Sequence, residues 1–530
     1  MSLGAEDTGA AEVPLGRISF PTSGSAQAQP SFIRGMLFLH SFEYDAAIDA
    51  FRDAQRIDRS FTMAFWGEAL AFNQPLWFSE NVEKARAALA RLAPTPAARQ
   101  AKAPTARERL YLDAVERLYG DGAKADRDRA YAERMAELVR LHPDDDEAAV
   151  LYALALLATI PAGERNPTVS LKAGSIALAI LKKNPQHPGA AHYALHAFDD
   201  GEHAAMGLEA ARTYARIAPA SSHARHMPSH VFLPLGMWDE AVASDELAFA
   251  ASVDLAKRKG LSAAQYDFHS LSWLQYEYLQ QGRFVKARET MREVERAMGS
   301  LASQGNPSNP SNHANHVESE IGRGFNATSL KSELASMKAR LVVESGDWAQ
   351  MRGQGSFENI DELYALGAAS VRLGDAGRAD AALKHLGTAA TSVPDRDARE
   401  IALIMRDELD GLMRDARGDT PGAVTALARA AAQEAKRPKP IARPYPVKPA
   451  AELYGEALLR SGNAGAAIAQ FQLSLARTPR RAASLLGLAR SLNAAGRRAD
   501  AANAAKEFLA AWHIADAGRP EVAEARALAR

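Results

Sequence analysis

Two pentapeptides, His192-Tyr-Ala-Leu-His196 and His226-Met-Pro-Ser-His230, repeat the spacing His-x-x-x-His 34 residues apart in a chain of 530 residues. On a helix, a four-residue step puts both imidazoles on one face with Cβ atoms about 6 Å apart, a separation that one transition-metal ion can bridge. Of the 14 histidines, His187, His192, His196, His203, His223, His226 and His230 all fall between positions 187 and 230, with Asp199 and Asp200 among them. Imidazole with carboxylate suits Zn, Cu, Fe or Ni, and a core made of histidine with Met206 and Met227 nearby favours Cu or Zn.

The expected ligands are therefore His192, His196, His226 and His230, with His223 and His269 as further candidates. Asp199 or Asp200 would orient a ligand from behind or act as general base on a metal-bound water. His203 reads as a turn or cap residue and His187, before Pro188, as a helix start, while His313 and His316 lie in an Asn/Ser-rich stretch. Pro228 falls well inside the helix expected to carry the second pentapeptide, the first of its hairpin, where it costs about 3 kcal/mol and kinks the backbone, so it could re-aim His223 and His226 away from His230.

Other chemistries find little support. A zinc-protease helix needs Glu directly after its first His, and Tyr193 and Met227 stand there instead. Gly-x-Ser-x-Gly does not occur, and Gly353-Gln-Gly355 lacks the strand context of a dinucleotide loop. With no cysteine, thiolate ligands, disulfides and cysteine nucleophiles are excluded. The balance of 63 basic and 64 acidic residues leaves no surplus for nucleic acid. The longest apolar stretch, 148–160, is too short to span a bilayer. The first thirty residues show no apolar signal core, and the compartment stays open.

Alanine, leucine and arginine dominate and apolar residues recur every three or four positions, which predicts an all-α chain. The helices come in pairs. Gly455, Leu458, Gly462, Ala467, Phe471, Ser474 and Pro479, followed by Ala489, Leu492, Gly496 and Ala501, keep fixed offsets. Near the start, Gly35, Phe38, Ala47, Phe51 and Ala54 keep the same ones, and Ala69 opens the next unit. On these residues the chain resembles the tetratricopeptide repeat family over most of its length. It is also similar to a group of long bacterial repeat proteins that share His40-Ser-Phe-Glu-Tyr44, Met63-Ala-Phe-Trp-Gly67 and His226-Met-Pro-Ser-His230, a likeness that brings no function with it.

The resemblance implies an α-solenoid, a superhelix of roughly ten to twelve hairpins. In that family the first helix of each hairpin faces a concave groove through fixed positions. Carried over, His192, His196, His223, His226, His230, His269, Asp199 and Asp200 would all face it, and Trp66, Asn73, Trp77 and Tyr276 would line it for a peptide or small molecule. Trp238 and Trp348 read as hairpin packing instead.

Composition suggests a flexible tail over 1–30, one array over 31–300, a linker over 301–330, a second array over 331–515 and a tail over 516–530. Loops are also expected at 91–105 and 435–449. Three functions remain open: a metal-dependent enzyme acting on a small molecule or peptide, a metal-free scaffold for a peptide or protein partner, and a metal carrier or sensor with a closed coordination shell. Oligomeric state is not legible.

Overall fold

The structure, a computed structural model, describes residues 14–219, 221–303, 327–353, 359–440, 442–443 and 445–530. They are helical almost throughout, and successive helices pair antiparallel with their neighbours. The helix Tyr44–Ile57 shows why. Tyr44, Ala47, Ile48, Phe51 and Ala54 recur at helical spacing and are buried, while Asp49, Arg52 and Arg56 face solvent. An apolar stripe of that width must be covered by another helix.

Phe51 sets how closely the neighbours approach. A Cβ built on Gly35, in the preceding helix, would lie 2.6 Å from its ring, and one on Gly67, in the following helix, 2.5 Å from it. Glycine is required at both places because one ring is shared by two hairpins. Phe471 repeats the arrangement between Gly455 and Gly487, at 3.1 and 2.3 Å. The residues on which the repeat was read are thus the ones that fix the stacking, and the chain is an all-α solenoid of hairpins.

The described residues form two compact units, one of residues up to 199 with 205–231, the other of 200–204 with 232 onward. In the first unit the hairpins run from Gln29–His40 with Tyr44–Ile57 to Pro188–Ala197 with Leu208–Ile217. In the second they run from Phe268–Gln280 with Phe284–Ser303 to Ala482–Ala494 with Arg498–Ala511. A core of aromatic and aliphatic side chains, including Trp238, Trp273, Phe284 and Phe508, fills this second unit. It also encloses a buried ion cluster in which Arg481 pairs with Glu344 and Glu452.

Several expectations are corrected. The stretch 1–30 is not all tail: Phe20 is buried against Phe32, Trp66 and Tyr111, with ring centroids 5.4, 6.0 and 5.2 Å away. The stretch 91–105 contains the helix Pro96–Lys102, capped by the Thr95 hydroxyl, and 516–530 contains the helix Pro520–Leu528. The linker at 301–330 lies mostly outside the described residues, as do His313 and His316. Among the described residues the division into units falls instead near 199–232.

Candidate metal centre

The helix Pro188–Ala197 opens with Pro at its first position, and His187 caps it by accepting the Ala190 N–H on Nδ1 at 3.2 Å. Its alanines are buried, so the helix is fixed on several sides, and it delivers His192 and His196 one turn apart. The next first helix breaks as Pro228 requires. Ser222–His226 is one short helix, capped by the Ser221 hydroxyl, and Ser229–Phe232 is another. Short turns bridge the gap, with His230 N–H donating to the Met227 carbonyl and Val231 N–H to that of Pro228.

This break sorts the imidazoles differently from two matching pairs. His192, His196 and His223 form a trio: His192 Nε2 lies 2.9 Å from His223 Nε2 and 3.1 Å from His196 Nε2. His226 and His230 form a pair with Nε2 atoms 3.0 Å apart. The expectation that Pro228 might turn His223 and His226 away from His230 holds for His223 alone, which joins the earlier helix.

His192 Nδ1 lies 2.7 Å from the His40 carbonyl, which can only accept, so this nitrogen carries the proton and Nε2 presents its lone pair. His230 is held likewise, its Nδ1–H donating to Asp199 Oδ2 at 2.8 Å. A ring nitrogen tied to a carbonyl or carboxylate, with the opposite nitrogen bare, is the usual arrangement behind a metal-ligating histidine.

Phe42 covers the trio. Its ring centroid is 4.3 Å from that of His192, and it stacks on His196 and His223 at 5.7 and 5.8 Å. Tyr214 stacks on His192 at 4.9 Å and the Trp77 edge meets His223 at 5.9 Å. Phe42 adopts φ 60°, a left-handed conformation that costs a non-glycine residue energy and clusters at functional sites. Burial, then the neighbouring His223, hold the His192 imidazole well below its ordinary pKa. Burial, then His192, do the same for His196. Both rings are thus neutral at physiological pH, the state in which imidazole binds metal.

Beneath the trio lies a set that sequence reasoning missed. His40 Nδ1 meets the Tyr193 hydroxyl at 2.9 Å and its Nε2 meets Glu147 Oε2 at 2.8 Å, while His187 Nε2 lies 3.1 Å from Glu147 Oε1. All four side chains are buried. Three ligand-type atoms converge here too, but His187 accepts an amide N–H on Nδ1, so its Nε2 carries the proton and faces Glu147 as a donor. Burial would raise the Glu147 pKa, yet the facing His187 and His40 take it down to about 2, so it stays a carboxylate. The set is a brace under the His40 carbonyl. Its one sequence signal was the quoted motif from His40 to Tyr44.

The remaining candidates separate. Asp199 stands behind His230, whereas Asp200 accepts from the amides of Glu202 and His203 and from the His203 ring, closing a turn. His269 lies exposed on Phe268–Gln280 in the second unit, its ring 5.6 Å from Trp273. Trp66 and Tyr276 are core residues rather than groove walls, Trp66 against Tyr111 and Tyr276 against Trp238. Asn73 is buried in a two-residue strand pairing, opposite Glu80, and lines a small apolar cavity with Phe42 and Tyr44. Trp77 alone of the four reaches the imidazoles.

No protein-family profile matches the chain, and no curated protein does. Among solved structures, it is similar to the Cut9–Hcn1 hetero-tetramer of APC/C at 12% identity, over 96% of this chain and 77% of that one, with TM-score 0.31. It is similar to yeast Tom70 at 11% identity, over 95% of both chains, with TM-score 0.34. A human IFIT1 dimer with m7Gppp-AAAA gives 11% identity, over 93% and 91%, with TM-score 0.34. At that level of overlay the architecture rests on the chain's own packing. The chain is an all-α array of tetratricopeptide-like hairpins in which one unit places five imidazoles on three helices, Pro188–Ala197, Ser222–His226 and Ser229–Phe232.

Proposed function

We propose that the first unit binds a divalent transition-metal ion, Zn or Cu favoured over Fe or Ni, through His192, His196 and His223. One observation carries this reading: the single lone pair of His192 Nε2 faces two imidazole nitrogens, at 2.9 and 3.1 Å. An imidazole lone pair accepts one good hydrogen bond, so two donors compete for it, whereas three lone pairs aimed at one cation satisfy all three rings. Nitrogens about 2.0–2.1 Å from a tetrahedral ion stand roughly 3.3 Å apart, a few tenths of an ångström beyond the distances here. Three ligands, His192, His196 and His223, would leave one position on such an ion open, and the chemistry the ion would supply there is activation of water near neutral pH. Hydrolysis of a small molecule or peptide follows as the reaction class.

A second reading, a scaffold for a peptide partner, is favoured by a cleft of about 880 Å³ in the second unit, lined by Lys331, Lys338, Glu295, Glu362, Met291 and Asn359. Metal analysis of untagged protein separates the two. His192→Ala and His223→Ala should each lower Zn affinity at least 100-fold with helicity unchanged. A wild-type protein that takes up no Zn or Cu under titration leaves the scaffold reading standing alone.

A further inference from the structure

We propose a second ion site in the same unit, formed by His226 and His230 with Asp199 behind it, so that the centre holds two transition-metal ions. The proposal rests on the trio being a metal site and extends it to a neighbouring donor pair.

Four observations support it. His226 and His230 bring their Nε2 atoms to 3.0 Å, with ring centroids 4.8 Å apart and rings nearly perpendicular, an arrangement that aims two nitrogens at one point from different planes. The Nδ1–H of His230 is committed to the Asp199 carboxylate, so the neutral His230 ring offers its lone pair on Nε2, the nitrogen that meets His226. A carboxylate behind an imidazole raises its basicity and fixes its direction, and removing such a partner typically costs 10–100-fold in metal affinity. Asp199 Oδ1, the other oxygen, is buried without a hydrogen-bond partner, a polar atom beside the pair whose desolvation a cation would offset.

The fourth observation is proximity. His196, a member of the trio, lies within the electrostatic reach of both His226 and His230. Cations held at the two sets would repel one another, and a shared anionic ligand, such as hydroxide or a carboxylate or phosphoryl oxygen of a substrate, would offset that repulsion. Two-ion sites about 3.5–4 Å apart clamp the attacking and leaving oxygens in this way.

Titration of untagged, metal-stripped protein with Zn²⁺, followed by elemental analysis after desalting, tests this. The expected result is two ions per chain for wild type and one for His226→Ala and for His230→Ala. His226 is buried, so His230→Ala, at a less buried ring, keeps the test valid if the first variant fails to fold. Asp199→Ala should weaken only the second ion, 10–100-fold. Loading with Cu²⁺ should give magnetic coupling in wild type and an uncoupled signal in His230→Ala. Wild type saturating at one ion, with His230→Ala also holding one, overturns the second site and leaves the first. Wild type holding none removes both.

Discussion

His192 is oriented by an acceptor it does not choose. The His40 carbonyl holds its Nδ1–H, and His40 is held through its ring by Tyr193 and Glu147. Glu147→Gln tests the brace, since its amide oxygen can serve one imidazole N–H while its NH₂ confronts the other as donor against donor. A loss of about 1–3 kcal/mol in chemical denaturation is expected, as for one buried group left unsatisfied. Residue placement was legible to a defined depth. Histidine spacing pointed to His192, His196, His226 and His230, because a four-residue period is intrinsic to a helix. The pairing of Glu147 with His40 was invisible, although His40 stands in a quoted motif, because nothing in a sequence tells which of many buried-looking positions will meet across 107 residues. Trp66 misled for a related reason: a large aromatic at a groove-facing offset is as useful to a core, and Phe20 arrives from outside the repeat to bury it.

Among the elements, the broken helix from Ser222 to Phe232 does most to shape the site. Replacing Pro228 by Ala restores a backbone donor and removes the steric bar to a continuous helix. The variant should be as stable as the parent or more so, yet bind Zn at least 10-fold more weakly, because His223 would rotate with the helix away from His192. Unfolding and Zn titration on the same preparation check both halves, and unchanged affinity would show that the break does not aim His223. Elements were the most legible level. Gly35, Phe51, Gly455 and Phe471 mark contacts in which a ring needs a missing Cβ, and such pairs leave a signature at fixed offsets. What escaped were elements outside the repeat, such as Pro96–Lys102 and the short strands at Asn73 and Ser79, whose sequences carry turn residues but no period.

Across the whole molecule, the buried titratable groups set the response to acid. His192 and His196 have values below the ordinary 6.5, so from that pH downward the unfolded chain takes up protons that the folded one refuses. Stability therefore falls as pH drops, by up to about 1.4 kcal/mol per pH unit for each imidazole. Glu147 adds a loss of the same sign from 4.5 down to about 2, because it stays ionised when folded and protonates when unfolded. In metal-free protein these rings should thus lower the melting temperature from near pH 6 downward, and bound Zn should postpone their contribution. Buried Glu277 and Glu408, whose carboxyls burial raises well above 4.5, pull the other way over the same window, so the check is against His192→Ala, whose loss of stability between pH 7 and 5 should be smaller than that of wild type; equal profiles would contradict the burial of the ring. The division into units was the level least readable from composition, since a Pro- and Asn-rich stretch advertises a linker while compactness is decided by which helices pack. One consequence concerns synthesis. The carbonyl that orients His192 precedes it by 152 positions, and His223 follows 31 later. A nascent chain leaving the ribosome must therefore hold its opening hairpin in readiness, and a polypeptide halted before residue 223 would carry every repeat feature of the amino-terminal end yet lack the third imidazole of the trio.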